Sequence, residues 1–262
     1  MTHLEDNTGR HFVYCGDCVP LMADWKKSGI QVDFAFSDPP FNIGQKYDVH
    51  DDRLGDDEFS LFTFKHLVST AHLVRDGGIM CVNVPDAMVL KVETAFNIYN
   101  DERGIGMERI DWIIWHYRFG QCGNTKFISS HTHCLVYRKG TNPHTWNPNE
   151  ILVESDRHSK YSDHRTYQSE TPGLRVPLDV WCDIPRVTGN AAERVAGRPN
   201  QLPWKYLDRL IRAYTNPGDL LLDPFGGSGT TAEQAKKLGR RSVSIDVSET
   251  YCNDIVERLN RA

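Results

Sequence analysis

The sequence predicts an α/β domain with a doubly wound sheet, and three observations carry that prediction. The chain opens as strand–helix–strand over residues 11–36 and closes as strand–helix–strand–helix from Leu220 to Ile255. Between them, short apolar runs alternate with segments of helical periodicity, as expected for strands covered by helices on both faces. Two of the strands end in turn-rich loops, Asp38-Pro39-Pro40-Phe41 and Asp223-Pro224-Phe225-Gly226-Gly227-Ser228-Gly229. In open α/β sheets ligands bind at that carboxyl edge.

Residues 11–15 form a first strand, stopped by Gly16-Asp17. Leu21, Met22 and Trp25 then recur at helical spacing, so 19–27 is a helix. Residues 32–36 are the next strand. The prolines after Asp38 end it, because proline has no N–H for a ladder and a fixed φ. Residues 42–57 hold five aspartates and Gly44 with little to bury, the composition of a mobile loop. Phe59, Phe62, His66, Leu67 and Val74 predict a helix over 58–75 that Asp76-Gly77-Gly78 ends. Residues 79–84 follow as a buried strand. A helix over 85–99 carries Met88, Val89, Val92, Phe96 and Ile98, and strands over 108–116 and 133–137 come next. From 141 to 198 regularity fades, apart from a short apolar segment at 180–185. A long irregular stretch inside a compact domain is usually functional or disordered. Leu207, Leu210 and Ile211 share one face of a helix over 203–214.

At 262 residues, 39% hydrophobic and 25% charged, the chain suffices for one α/β domain with an inserted region. It has no apolar run of ~18 residues and no basic-apolar leader, so neither a membrane span nor a secretory signal is expected, and the expected location is cytoplasmic. Seven cysteines, an odd number scattered over strands, helices and loops, do not form a disulfide framework. Cys15-x-x-Cys18 has no second pair to complete a zinc site. On a strand, His131 and His133 face away from Cys134, so no metal is expected. The net charge of −5 argues at first sight against a polyanionic partner. Its distribution argues otherwise: residues 1–115 carry 10 basic and 19 acidic side chains, 116–205 carry 12 and 8, and 206–262 carry 8 and 8. A local cationic excess can hold phosphates, since charge acts strongly only within a Debye length of ~8 Å.

The two loops, together with Gly16-Asp17, Gln201-Leu202-Pro203-Trp204 and Ser242-Val243-Ser244-Ile245-Asp246, resemble the amino-methylating DNA methyltransferases that use S-adenosylmethionine. The order of motifs is that of the family's beta arrangement, with Asp-Pro-Pro-aromatic before the Gly-rich loop. The resemblance covers residues 11–100 and 200–260 and is loose in the middle. It implies one methyltransferase domain over 1–262, made of a catalytic-motif half (1–115), a target-recognition insert (116–200) and a cofactor-binding half (201–262). The implied sheet is Rossmann-like, with about seven strands, mostly parallel, one reversed near an edge.

A sulfonium methyl is already activated, so the difficulty is the nucleophile: an exocyclic amine gives its lone pair to the ring. Acceptors on its N–H groups favour pyramidal geometry and stabilise the developing charge. Asp38 supplies one acceptor and the Pro39 carbonyl the other, while Pro40 stiffens the corner. Phe41 stacks on a base turned out of the duplex, a contact worth ~1 to 3 kcal/mol. The family more often has tyrosine there, so a hydroxyl contact is in doubt. By resemblance, Asp17 meets the cofactor's adenine with Cys18 beside it, and Asp246 takes the ribose hydroxyls. Asp223 meets the amino end, directly or through water. Pro224, Phe225, Gly226, Gly227, Ser228, Gly229 and Thr230 form the cradle, Gln201 and Trp204 lie beside the methionine, and Asp38 counts on both sides.

The insert offers Arg118, Lys126, Arg138, Lys139, Arg157, Lys160, Arg165 and Arg175 as contacts to double-stranded DNA. Family members of this arrangement often pair as homodimers, which the sequence neither shows nor excludes; a restriction-modification, phage or regulatory setting is equally open. Asp at the motif's first position goes more often with adenine N6 and Ser with cytosine N4. Ser37 precedes Asp38, but the register of the prolines assigns Asp38, so adenine is favoured over cytosine. A dinucleotide-dependent oxidoreductase would explain the glycines and Asp246, yet the loop lacks G-x-G-x-x-G spacing and Asp-Pro-Pro-Phe is left over. A DNA-binding pseudoenzyme finds no support in two undegenerate loops.

Overall fold

The computed structural model describes residues 3–50, 52–118, 124–125, 127–168 and 170–262. Strands β1 (His3–Glu5) and β2 (His11–Cys15) lead into α1 (Cys18–Lys27), β3 (Val32–Ser37), α2 (Asp56–Leu73) and β4 (Val74–Pro85). Then come α3 (Asp86–Glu102), β5 (Met107–His116) and β6 (His131–Lys139). A two-stranded antiparallel unit of β7 (Val153–Glu154) and β8 (Leu174–Arg175) brackets α4 (Asp156–Ser159), and β9 (Val180–Trp181) follows. The chain closes through α5 (Trp204–Tyr214), β10 (Leu220–Asp223), α6 (Thr230–Lys237), β11 (Arg241–Asp246) and α7 (Glu249–Arg261).

The main sheet runs β1-β2-β11-β10-β3-β4-β6-β5-β9. Strand β6 is antiparallel to both neighbours, and β1 is antiparallel to β2. The expected seven strands are all present, and two short edge strands bring the described sheet to nine. One is β1; the other is β9, the apolar segment inside 180–185, paired parallel to β5 through Ile114 and Trp115. Alternation sorts the strand side chains between two helix layers. Met80, Val82 and Val84 pack with α1, α2 and α3, whereas Ile79 and Cys81 pack with α5. Each large side chain buried this way contributes about 1.5–3 kcal/mol.

One boundary departs from the sequence pattern. Helix α2 ends at Leu73 and passes directly into β4, so Asp76-Gly77-Gly78 lies inside the strand and does not stop the helix. The glycine serves close approach instead: a Cβ at Gly78 would lie 2.9 Å from the Asp33 carbonyl oxygen and 2.8 Å from Val74 Cγ1. Pairing between β3 and β4 shifts register in the same place.

Strands β3 and β10 are parallel neighbours, with Ala35 opposite Leu222. Their following loops therefore open at one edge of the sheet, and the tips of β11 and β2 continue that edge. Among the described residues no helix is long and apolar enough to cross a membrane.

Candidate active site

Asp38 is the first residue past β3, where the diproline prevents further pairing. Its Oδ1 accepts a 2.7 Å hydrogen bond from Asn83 Nδ2 at the tip of β4. Burial pushes the Asp38 carboxyl up to about 7; the Asn83 hydrogen bond opposes the rise and the Asp223 charge adds to it.

Two cavities meet at this residue. The larger, about 330 Å³, is walled by Asp17 and Cys18 after β2, Asp246 at the tip of β11, Pro224, Phe225 and Gly227 after β10, and Asp38 and Pro40. The smaller, about 90 Å³, joins Asp38, Pro39 and Phe41 to Gln201 and to Gly226, Ser228 and Thr230. Asp38, Gly227 and Tyr47 wall both. The two motif loops, far apart in sequence, thus wall two adjacent cavities that share Asp38, Tyr47 and Gly227.

Within it the candidates divide by what holds them. Asp246 Oδ2 accepts from the Gly227 N–H at 2.8 Å and Oδ1 from the Ser248 N–H at 2.9 Å, with burial raising its pKa against those bonds. Each oxygen of a carboxylate has a second lone pair, so Asp246 retains acceptor capacity for hydroxyls. Asp17 caps α1 by accepting from the Val19 N–H at 2.9 Å and lines the larger cavity as well. The Cys18 thiol, buried beside it, is pushed up to about 12 by desolvation and stays protonated.

Four placements bear on the expected cofactor contacts. Asp223 lines neither cavity; it is buried, raised to about 6 by desolvation, and its carboxylate accepts from the Phe225 N–H at 3.0 Å and from the Thr231 side chain. It holds the loop. Gly226 and Gly229 also bring the loop against α7, because a Cβ there would meet Ile255 side-chain atoms at 2.8 and 3.1 Å, while Gly226 keeps its place in the wall of the smaller cavity. The Gln201 amide is occupied by the 193–195 turn, donating to the Glu193 carbonyl at 2.7 Å and accepting from the Val195 N–H at 2.8 Å. Trp204, which opens α5, lines neither cavity and is partly exposed.

The described residues of the acidic 42–57 segment are tied together by hydrogen bonds. Asp52, 2% exposed, accepts from the backbone N–H groups of Asn42, Ile43 and Gln45 at 2.7 to 3.0 Å. Asn42, at φ 56, donates to the Leu54 carbonyl and accepts from its N–H. This knot holds Tyr47, Asp48, Val49 and His50 over the larger cavity, and the Ser248 hydroxyl donates to Asp48 to close the far side. Asp52→Ala is expected to raise the Kd for S-adenosylhomocysteine about tenfold and to speed proteolytic cleavage between residues 42 and 54, since three backbone N–H groups that tie the loop lose their acceptor. Calorimetry and limited proteolysis check it.

Sequence reasoning missed this loop's contribution, along with Asn83, Tyr206 and Tyr251. Tyr251 lines the larger cavity from α7, with the buried Arg198 guanidinium 3.5 Å above its ring. Only Asn83 left a signal, as a lone polar residue inside an apolar strand.

The basic candidates fall in different places. Arg138 and Lys139 lie at the end of antiparallel β6, opposite Ile79, which is the edge of the sheet away from Asp38. There Arg138 pairs with Glu108, and Lys139 Nζ donates to the Ala71 carbonyl at 2.6 Å. Both lie away from the Asp38 edge, because an antiparallel strand carries its last residues to the opposite edge. Arg118 follows β5 on the site's edge. Arg157, Lys160, Arg165 and Arg175 gather in the unit between β7 and β8, where Arg157 and Arg165 pair with Asp163 and Lys160 with Asp156. Lys126 lies outside the described residues.

His131 and His133 do share a face, and Asp86 completes a group whose ligand atoms lie within 4.8 Å. The Trp112 Nε1–H donates to His133 Nδ1 at 2.8 Å. The ring proton of neutral His133 then sits on Nε2, facing Asp86 at 3.4 Å as a donor. In this arrangement His133 Nε2 is spent as a donor toward Asp86.

A mostly parallel sheet with a reversed strand beside its edge, and a cofactor-sized cavity at its carboxyl tips, defines a Rossmann-like methyltransferase. The family model for the N6/N4 DNA methylases matches residues 32–257, and the chain belongs to that family of S-adenosylmethionine-dependent DNA amino-methyltransferases. It is 30% identical over 251 residues to DNA adenine methyltransferase YhdJ of Escherichia coli K12, covering 92% of this chain and 81% of the relative. It is 30% identical over 252 residues to type II methyltransferase M.BamHI of Bacillus amyloliquefaciens, covering 94% of this chain but only 56% of the relative's length. In fold it matches the M1.HpyAVI–SAM complex with a TM-score of 0.65 at 20% identity, covering 95% and 98% of the two chains. The PvuII cytosine-N4 DNA methyltransferase gives 0.68 at 15% identity, covering 95% and 86%.

Proposed function

We propose that this chain transfers a methyl group from S-adenosylmethionine to the exocyclic N6 amino group of adenine in double-stranded DNA, acting on a base turned out of the helix. The observation that carries the reading is that Asp38 walls both cavities, so an amine held by its carboxylate faces whatever occupies the larger one. That cavity suits a nucleoside: Asp17 and Asp246 offer acceptors to amine and hydroxyl donors, and Phe62, Phe225 and Val247 give it apolar walls. When bound there, S-adenosylmethionine supplies a methyl group made electrophilic by its sulfonium.

The protein's part is alignment and charge. Asn83 takes one lone pair of Asp38 Oδ1, leaving both lone pairs of Oδ2 to accept an N–H of the target amine. The Pro39 carbonyl, on a corner stiffened by Pro40, is the second acceptor. As the new N–C bond forms the nitrogen gains positive charge, which an ionised Asp38 stabilises in a water-poor site. The same carboxylate can take the proton that the nitrogen afterwards releases. Phe41 walls the smaller cavity and offers a π face to the base.

Adenine is favoured by aspartate at the first motif position and by the relative described as an adenine methyltransferase. Cytosine N4 is the second reading, because the same acceptor pair serves either amine. Mass spectrometry of nucleosides from treated DNA tests both. N6-methyladenine is the expected product; N4-methylcytosine would overturn the base assignment, and no methylated nucleoside on any genomic DNA would overturn the reading. For the DNA face, Arg118 and the unit bearing Arg157, Lys160, Arg165 and Arg175 are the proposed phosphate contacts, with exposed Tyr161 and Tyr167 among them.

A further inference from the structure

We infer that Asn83, backed by Tyr206, is a positioning residue that determines which oxygen of Asp38 is presented to the target amine. The inference rests on the role proposed for Asp38. Asn83 lies between Val82 and Val84 in β4 and is 2% exposed. By strand parity it shares the face of Ile79 and Cys81, toward α5. A buried side-chain amide in such a strand is costly unless both of its ends are bonded. Nδ2 donates to Asp38 Oδ1 at 2.7 Å, and Oδ1 faces the Tyr206 hydroxyl at 3.5 Å, a long contact from a hydroxyl that also bonds the Cys134 thiol.

Tyr206 is fully buried in α5, packed against the rings of Phe36, Trp115 and Trp181. Its hydroxyl therefore has little freedom to leave. Burial raises its pKa well above the ordinary phenol value, so it keeps a proton to donate. The amide then has one workable orientation. With Asp38 ionised, the reversed amide would set its carbonyl against a carboxylate oxygen, two acceptors with no proton between them. The chain Tyr206–Asn83–Asp38 thus has a direction, and it leaves Asp38 Oδ2 as the free acceptor.

The charges around Asp38 make the amide's contribution measurable. From β10, Asp223 disfavours its ionisation; Tyr47 from the covering loop and Tyr206 from α5 are neutral. Asn83 supplies the hydrogen bond that favours the ionised form. Removing it should raise the Asp38 pKa and move the acid limb of the reaction to higher pH.

The test compares wild type, Asn83→Leu and Tyr206→Phe by the pH profile of kcat/KM and by 13C NMR titration of the Asp38 carboxyl, identified by its loss in Asp38→Asn. Asn83→Leu is expected to shift both midpoints upward by at least about one pH unit, a tenfold change in the ionisation constant. Its Kd for S-adenosylhomocysteine should stay within about threefold of wild type. Tyr206→Phe is expected to shift them in the same direction by a smaller amount, and it carries the test alone if Asn83→Leu does not fold. Midpoints unchanged in the folded variants, or an activity loss equal at every pH, would overturn the inference. If the wild-type protein methylates no DNA, the functional reading falls, and the carboxyl titration still decides whether Asn83 governs Asp38.

Discussion

Asp38→Ala is expected to lower methyl transfer by at least about 10³-fold while leaving the Kd for S-adenosylhomocysteine within about threefold, the pattern of lost transition-state stabilisation. The asymmetry follows from position. Asp38 sits where the two cavities join, whereas the nucleoside-facing carboxylates, Asp17 and Asp246, belong to β2 and β11. Losing the acceptor leaves the amine's electrons in the ring without disturbing the distant wall. Single-turnover methylation and calorimetry together check the expectation, and a variant with wild-type turnover would remove Asp38 from the mechanism.

The same carboxylate has a consequence for stability, with the sign set by its raised pKa. Below the ordinary carboxyl value of 3.8 it is protonated in both folded and unfolded chains and makes no difference. Between that value and about 7 the unfolded chain ionises while the folded one does not, so stability falls as pH rises, by about 1.4 kcal/mol for each unit of separation. Asp38→Asn is therefore expected to melt several degrees higher than wild type at pH 8 and at the same temperature near pH 4, read by calorimetry. Inactive but stabilised is the signature of a carboxylate buried for chemistry.

Asp246→Ala is expected to weaken S-adenosylhomocysteine binding about 10²-fold. Its carboxylate fastens the Gly227 and Ser248 N–H groups at the mouth of the larger cavity. Hydrogen bonds to charged groups are worth about 1.5–3 kcal/mol each, and truncation also removes the acceptor available to ribose hydroxyls. Asp246→Asn keeps one acceptor and should lose only about tenfold. Isothermal titration of both variants decides it, and an unchanged Kd for Asp246→Ala would place the nucleoside elsewhere.

How much of this was legible in the residues depends on the range of the interaction. The strand tips bearing Asp17, Asp38 and Asp246 were readable because strand, turn and helix are local patterns, and a parallel sheet brings successive tips to one edge. Asp223 was readable as a loop residue but not as a buried one, since its partners are the Phe225 N–H and Thr231 within a folded turn. The segment around Asp52 looked unstructured because composition counts its aspartates without showing that one is buried as an acceptor for three N–H groups. Arg138 and Lys139 looked like DNA contacts because charge was counted by sequence block, which is blind to the direction of β6.

The sequence by itself determined the family, the doubly wound sheet and the two loops that meet, because diproline and glycine constrain the backbone wherever they occur and apolar periodicity dictates which faces are covered. Only the tertiary structure decided which carboxylates face a cavity, which glycines serve packing against α7, and that Asn83 and Tyr206 stand behind Asp38. The last of these depends on contacts between residues 45 and 123 positions apart. No local pattern encodes contacts of that range; they exist only once the sheet has closed.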